Sequence, residues 1–351
     1  MSGPLDGVTV VDLSALLPGP LATRILAAAG ARVIKVERPG GEDMRRMPPL
    51  REGRSLVYEM LNAGKEILEL DLKDTAARDE FEALLAGADV LVEQFRPGVL
   101  ARLGLAPEQL LERYPGLVVC SITGYGQDGP LARAAGHDLC YLALAGILDL
   151  SERNREGVPA LPPVLLADIA GGAYPAVMAI LLALFERQRS GRGRWLDVAM
   201  TRNLPSLVPW ALADGLGGAG FPAPGSGLTG GGSPRYAVYP TADGRLLAVA
   251  PLEERFWQQF CEVIDLPPAL RDDALDPPAT RRAVAERIAR RTAAEWEAAF
   301  AGRDVCCMVV RSLAEALAHP QLAGLAVVDG DGRPAMPLPL DPGLLSQPPG
   351  C

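Results

Sequence analysis

The chain has 351 residues, too many for one comfortable core, and this length points to two domains. With 49% apolar and 22% charged residues it is composed like a globular protein, and its net charge of -9 argues against general nucleic-acid binding. An acidic protein that binds a polyphosphate has to gather its cations locally, so individual Arg and Lys positions matter.

Val8–Leu13 is a short β-branched run and reads as a buried strand. Gly19 and Pro20 open a helical stretch over Leu21–Ala29, closed by Gly30, and Ala31–Val36 is a second strand. This β-α-β unit makes the opening α/β with parallel strands. Thr75–Ala86 has helical spacing, and Ala88–Val92 and Leu117–Ile122 read as further strands of the same sheet. The longest apolar run, near Ala173–Phe185, is too short for a bilayer and reads as a buried helix extending from Asp168 to about Arg189. A strand at Trp195–Val198 follows. The segment 215–234 is dense in Gly and Pro and reads as a linker. Beyond it, Tyr236–Ala250 reads as a strand pair turning at Ala242-Asp243-Gly244, with helices near Phe256–Ile264 and Thr280–Ala301. The expected domains are therefore 1–214, a linker over 215–234, a small domain over 235–310, and a return segment over 311–351 that packs on the large domain.

Two phosphate motifs fail on inspection. Gly124-Tyr125-Gly126-Gln127-Asp128-Gly129 spells GxGxxG after a strand, but Pro130 follows and no acidic residue ends a next strand. The plain reading is a glycine turn that lets backbone pass close to another group. The first β-α-β unit has Glu37 where dinucleotide-binding units carry an acid, yet its turn, Ser14–Pro20, lacks the glycine triad. Six cysteines include no CxxC pair, and only two histidines exist, so no metal site or disulfide framework is expected. The N-terminus shows no basic stretch followed by an apolar core, which makes the cytoplasm the default location and a membrane role unexpected.

Several segments in order resemble the family III CoA-transferase superfamily, and within it the α-methylacyl-CoA racemase branch. They are Val11-Asp12-Leu13-Ser14 with Pro18-Gly19-Pro20, Gly30–Pro39, Leu70-Asp71-Leu72-Lys73 and Phe95-Arg96-Pro97-Gly98. Gly124–Pro130, Gly136–Tyr141, Asp168–Gly172, Ala242–Arg245 and Leu252-Glu253 continue the match. The resemblance implies a Rossmann-like large domain with a parallel sheet, a smaller α+β domain, and an interlocked homodimer. It implies acyl-CoA as substrate, with no further cofactor. Arg38 is then expected to face CoA phosphate or adenine. Leu70, Asp71, Leu72, Lys73 and Arg96 would line the same groove. Gly136, Leu139, Cys140 and Tyr141 would contact the thioester end.

Racemising a 2-methylacyl-CoA needs one base on each face of a flat enolate and a holder for the oxyanion. The resemblance assigns the bases to His137 and Asp168, with Asp138 and Glu253 as supporting carboxylates. Read alone, Asp168 is an N-cap carboxylate before an apolar helix, and a helix N-terminus favours the ionised form and offers N–H groups to an oxyanion. Glu253 reads equally as a solvated helix-start acid, and His319, in Ala318-His319-Pro320, as a helix-end residue. Lys65, Lys73 and Arg96 read as ordinary surface charges. Arg38 stands apart because it closes a strand at the carboxyl edge of the sheet. Cys140 reads as a packing residue, since no nearby histidine activates it.

The alternative in the same superfamily is CoA transfer between carboxylic acids through an acyl anhydride on Asp168. The resembling transferases carry Gln where this chain has Leu17, and they lack the Gly-His-Asp arrangement around His137. Gly230-Gly231-Gly232 resembles their mobile glycine loop, but a shorter pair sits there in the racemases. A CoA-binding protein without catalysis is a third reading that no residue favours. The acyl group stays open among branched fatty acyl, bile-acid side chain and aryl-propionyl.

Overall fold

The computed structural model describes residues 3–325, 327–330 and 332–346. Cys351 and the end of the expected return segment lie outside the described residues. The described residues within Met1–Ala145, Pro162–Leu207 and Ala326–Cys351 form one compact unit, and those within Gly146–Leu161 and Val208–Leu325 a second.

The first unit is built on six parallel strands. They are β1 (Thr9–Asp12), β2 (Arg32–Glu37), β3 (Glu66–Glu69), β4 (Val90–Glu93), β5 (Val118–Thr123) and β6 (Trp195–Ala199), in the spatial order β3-β2-β1-β4-β5-β6. Interior strands are near-continuous apolar runs because both faces are covered. On one face Val11, Ile34, Leu91 and Val119 pack with Phe81 and Leu85 of a helix over Thr75–Ala86. Helix α1 (Pro18–Ala28) links β1 to β2 and buries Leu21, Ala22, Ile25 and Leu26. The order reverses between β1 and β4, so the crevice beyond their carboxyl ends is where an open α/β sheet binds ligands. The sequence reading missed β3: Glu66-Ile67-Leu68-Glu69 is a mostly exposed edge strand with weak patterning.

The apolar run at Ala173–Phe185 is corrected in two respects. It belongs to α2 (Tyr174–Ser190), which a π-helical turn over Ala167–Ala173 extends to 24 residues, long and apolar enough by composition to cross a bilayer. It is also buried on one side only. Ala176, Ile180 and Ala183 are buried, while Tyr174, Met178 (58% exposed), Leu181, Leu182 (69%) and Phe185 (61%) form an exposed apolar stripe at helical spacing.

The second unit holds β7 (Ala237–Pro240), β8 (Leu246–Val249) and β9 (Cys307–Val309) in one antiparallel sheet. The strand pair turning near Ala242–Gly244 is as the sequence predicts. The single helix expected over Thr280–Ala301 is two, Pro277–Ile288 and Ala293–Phe300, because Thr292 and Glu295 form a capping box that starts the second. Trp257, Phe260, Trp296 and Leu247 fill this core. Residues 209–216 are also helical, so this helix runs into the first two positions of the expected linker.

Candidate active site

The turn between β1 and α1 is fixed by buried charges. The Asp12 carboxylate accepts from the Ser14 N–H (2.9 Å) and hydroxyl, from Thr23 Oγ1 (2.6 Å) and from Lys65 Nζ (3.1 Å). Lys65 Nζ also donates to the Pro20 carbonyl and to Asn62 Oδ1. Lys65 is thus no surface charge: its side chain, like that of Lys35, is fully buried. Lys35 Nζ donates to the Ser14 carbonyl (2.7 Å) and pairs with Glu42 (3.0 Å), whose other oxygen accepts the Leu16 N–H at 2.7 Å. Leu16 needs that hold, because φ of +62° is unfavourable for a branched side chain. Glu37 accepts from Tyr58 Oη and Arg45 Nε, so the acid that mimics a dinucleotide-binding residue is already committed.

Two cavities open at the switch point, and Leu16 and Phe95 line both. The first, about 470 Å³, is walled by Arg38, Leu70, Asp71, Leu72 and Lys73, with Val99 and Leu103 also in its lining. The structure therefore brings these five expected residues together. Arg38 is exposed, donates to the Gly41 carbonyl and pairs with Asp43 at 2.7 Å. Arg96 is not among them; it lines the other cavity.

The second cavity, about 320 Å³, collects Gln94, Arg96, Tyr125, Gly136, His137, Tyr141, Asp168 and Met200. His137 is the extended residue preceding helix α3 (Asp138–Leu144) and its carbonyl accepts the Cys140 N–H. Tyr141 reaches back to donate to the Gly136 carbonyl (2.6 Å) and stands edge-on to Tyr125 with centroids 5.1 Å apart. This packing explains the GxGxxG segment. A Cβ on Gly124 or Gly136 would lie 2.4 or 2.7 Å from the Tyr141 ring, and Gly126 has φ of +96°. No helix starts between Gly124 and His137, so the dinucleotide reading fails structurally.

Asp168 departs from the N-cap expectation. It lies inside the π-helical turn, preceded by Leu166 in helical conformation, and caps nothing. Its N–H donates to Asp138 Oδ1 (2.9 Å), so that group is not free for an oxyanion. Burial and the neighbouring Asp138 charge raise its pKa to about 6, with His137 opposing. The expected plain ionised carboxylate is replaced by a group poised near neutrality, as general acid–base catalysis requires. Between about 3.9, the unfolded value, and about 6, the folded protein keeps a proton the unfolded chain has lost, so stability falls as pH rises through that window. Asp168→Asn removes this penalty. It is expected to be more stable than wild type near pH 7.5 by about 1–2 kcal/mol, after discounting for partial exposure, with the gap closing below about pH 4. Thermal unfolding at both pH values checks this; equal midpoints throughout contradict it.

Leu139 and Cys140 do not line this cavity, and both are exposed, which also corrects the packing reading of Cys140. Asp138 is buried, supporting Asp168 through the backbone. Glu253 belongs to the second unit, where it is exposed before the helix Glu254–Val263, beside Cys306. Sequence reasoning missed Leu16, Gln94 and Tyr125; position just past a strand end was the available signal for Gln94 and Tyr125. Among the described residues no cluster of His, Cys, Asp and Glu could hold a metal ion.

A model of CoA-transferase family III matches residues 5–339. The chain is 37% identical to mouse alpha-methylacyl-CoA racemase, over 98% of this chain and 87% of that protein. It is 31% identical to human succinyl-CoA:glutarate CoA-transferase, over 91% and 74%. The crystal structure of a CaiB/BaiF family protein from Brucella suis superposes with a TM-score of 0.81 at 28% identity, covering 97% of this chain and 93% of that one. The sheet order, the paired cavities at its switch point and these similarities agree, and the chain belongs to CoA-transferase family III.

Proposed function

We propose that this enzyme racemises 2-methyl-branched acyl-CoA thioesters by 1,1-proton transfer at the α-carbon, with His137 and Asp168 as the two acid/bases. The observation that carries the reading is their presence in one cavity, with Asp168 tuned to about 6. A carboxyl with that pKa populates both protonation states near neutral pH, so it can accept the α-proton in one direction and deliver a proton in the other. The thioester carbonyl acidifies the α-proton, and the positive charge of Arg96 in the same cavity favours the enolate. The Arg38–Lys73 cavity suits the nucleotide end of CoA, and the shared wall at Leu16 and Phe95 gives the pantetheine arm a path between the two. No cofactor is needed beyond the acyl-CoA itself.

The transferase alternative uses Asp168 as nucleophile and has no task for His137. Leu17, where the resembling transferases carry Gln, and the higher identity to the racemase relative both favour racemisation. Incubating purified protein with one enantiomer of a 2-methylacyl-CoA and resolving the products tests the proposal. A racemic mixture is expected; recovery of a single enantiomer across a panel of acyl groups contradicts it.

A further inference from the structure

The turn that carries Asp168 is held open from outside the cavity. In a π turn the backbone hydrogen bonds run from i to i+5, a wider ring than the α-helix prefers, so such a turn persists where its surroundings support it. Here the support comes at two points. At one, the Asp138 carboxylate takes the Asp168 N–H at 2.9 Å. At the other, Asn203 Nδ2 donates to the Gly171 carbonyl at 2.8 Å. Asn203 ends helix α4 (Met200–Asn203), which lies hard against the turn. A Cβ on Gly171 would come within 2.9 Å of the Met200 carbonyl oxygen, and one on Gly172 within 3.0 Å of Met200 Cγ and 3.1 Å of Pro18 Cβ. The same helix is pinned to the cavity, because the Thr201 N–H and hydroxyl both donate to the Gly124 carbonyl. Asn203 itself does not line the cavity.

If the turn closed to regular α-helix, the register would shift by one residue, and Asp168 would swing by about 100° around the axis relative to α2. We infer that Asn203 is a positioning residue: Pro175 has no N–H to give the Gly171 carbonyl in α-helical register, and Asn203 supplies the donor that fixes this carbonyl, holds the turn in place and so aims the Asp168 carboxylate into the cavity. This rests on the two-base reading above.

The test uses the full chain with each enantiomer of a 2-methylacyl-CoA in D₂O, reading deuterium gained with retained configuration. Asn203→Asp keeps the shape and loses the donor, and Asn203→Ala guards against charge effects. In both, the enantiomer whose α-proton faces Asp168 is expected to exchange about tenfold more slowly or worse, as small misplacements of a reacting group do. The enantiomer facing His137 should exchange within about threefold of wild type, and KM should move by less than about threefold, since neither depends on the aim of Asp168. The enantiomer facing Asp168 is identified as the one that still exchanges in His137→Ala. Equal slowing of both enantiomers, or of neither, with wild-type exchange intact, overturns the role of Asn203 alone. Absence of α-exchange in the wild type overturns the two-base reading and this inference with it.

Discussion

In His137→Ala, racemisation is expected to fall by roughly 10²–10⁴-fold, the usual contribution of a general acid–base group, while half of the α-proton exchange survives. Each racemisation uses both bases, one to remove the proton and one to deliver its replacement to the other face. Asp168 alone can still deprotonate the enantiomer whose proton points at it and return a solvent deuteron to the same face. That enantiomer gains deuterium with retained configuration, and its mirror image stays unlabelled. Asp168→Asn should show the opposite pattern, with its raised stability near neutral pH separating lost chemistry from lost folding. Mass spectrometry with chiral separation reads both. Exchange into both enantiomers at wild-type rates in either variant contradicts the assignment.

Asp12→Ala is expected to cost about 3–5 kcal/mol of stability, the range for breaking a buried ion pair from one side. The loss leaves Lys65 buried without its paired carboxylate and removes an acceptor of Thr23 and of Ser14. Burial raises the Asp12 pKa, but Lys65, Lys35 and the two hydroxyl hydrogen bonds outweigh it and bring it to about 2. A carboxylate depressed below its unfolded value of about 3.9 stabilises the fold above that value, and the contribution is lost as pH falls toward about 2. Urea unfolding near neutral pH checks the magnitude, and a change under about 1 kcal/mol contradicts it. The same loss frees the Ser14–Pro20 turn, whose Leu16 forms the wall shared by both cavities.

The strands of the large unit were legible because buried parallel strands are β-branched runs, and the helix over Thr75–Ala86 because its apolar positions recur at helical spacing. The edge strand β3 was not, since an exposed edge carries little pattern. The break before Ala293 is legible in the Thr292–Glu295 spacing, which is that of a capping box. At the site, the resemblance brought out Arg38, Leu70–Lys73, His137 and Asp168, and the structure groups them into two adjoining cavities. What local sequence could not carry was tertiary. Lys65 looks like a surface lysine until Asp12, 53 positions away, is brought to it. Asp168 reads as a helix cap until the π turn, held from Asp138 and Asn203, moves it inside the helix. Gly124 and Gly136 spell phosphate-loop freedom, yet they are small because the Tyr141 ring lies on both.

The central claim, proton transfer at carbon and not acyl transfer to Asp168, is tested most directly by incubating wild-type enzyme with one enantiomer of a 2-methylacyl-CoA in D₂O, followed by mass spectrometry and a hydroxylamine trap. The account predicts one deuterium at the α-carbon, appearing in both enantiomers as they interconvert, and no hydroxamate on Asp168. An aspartyl hydroxamate at Asp168, with no α-deuterium in any 2-methylacyl-CoA tried, would contradict it and leave the chain a CoA-transferase in mechanism.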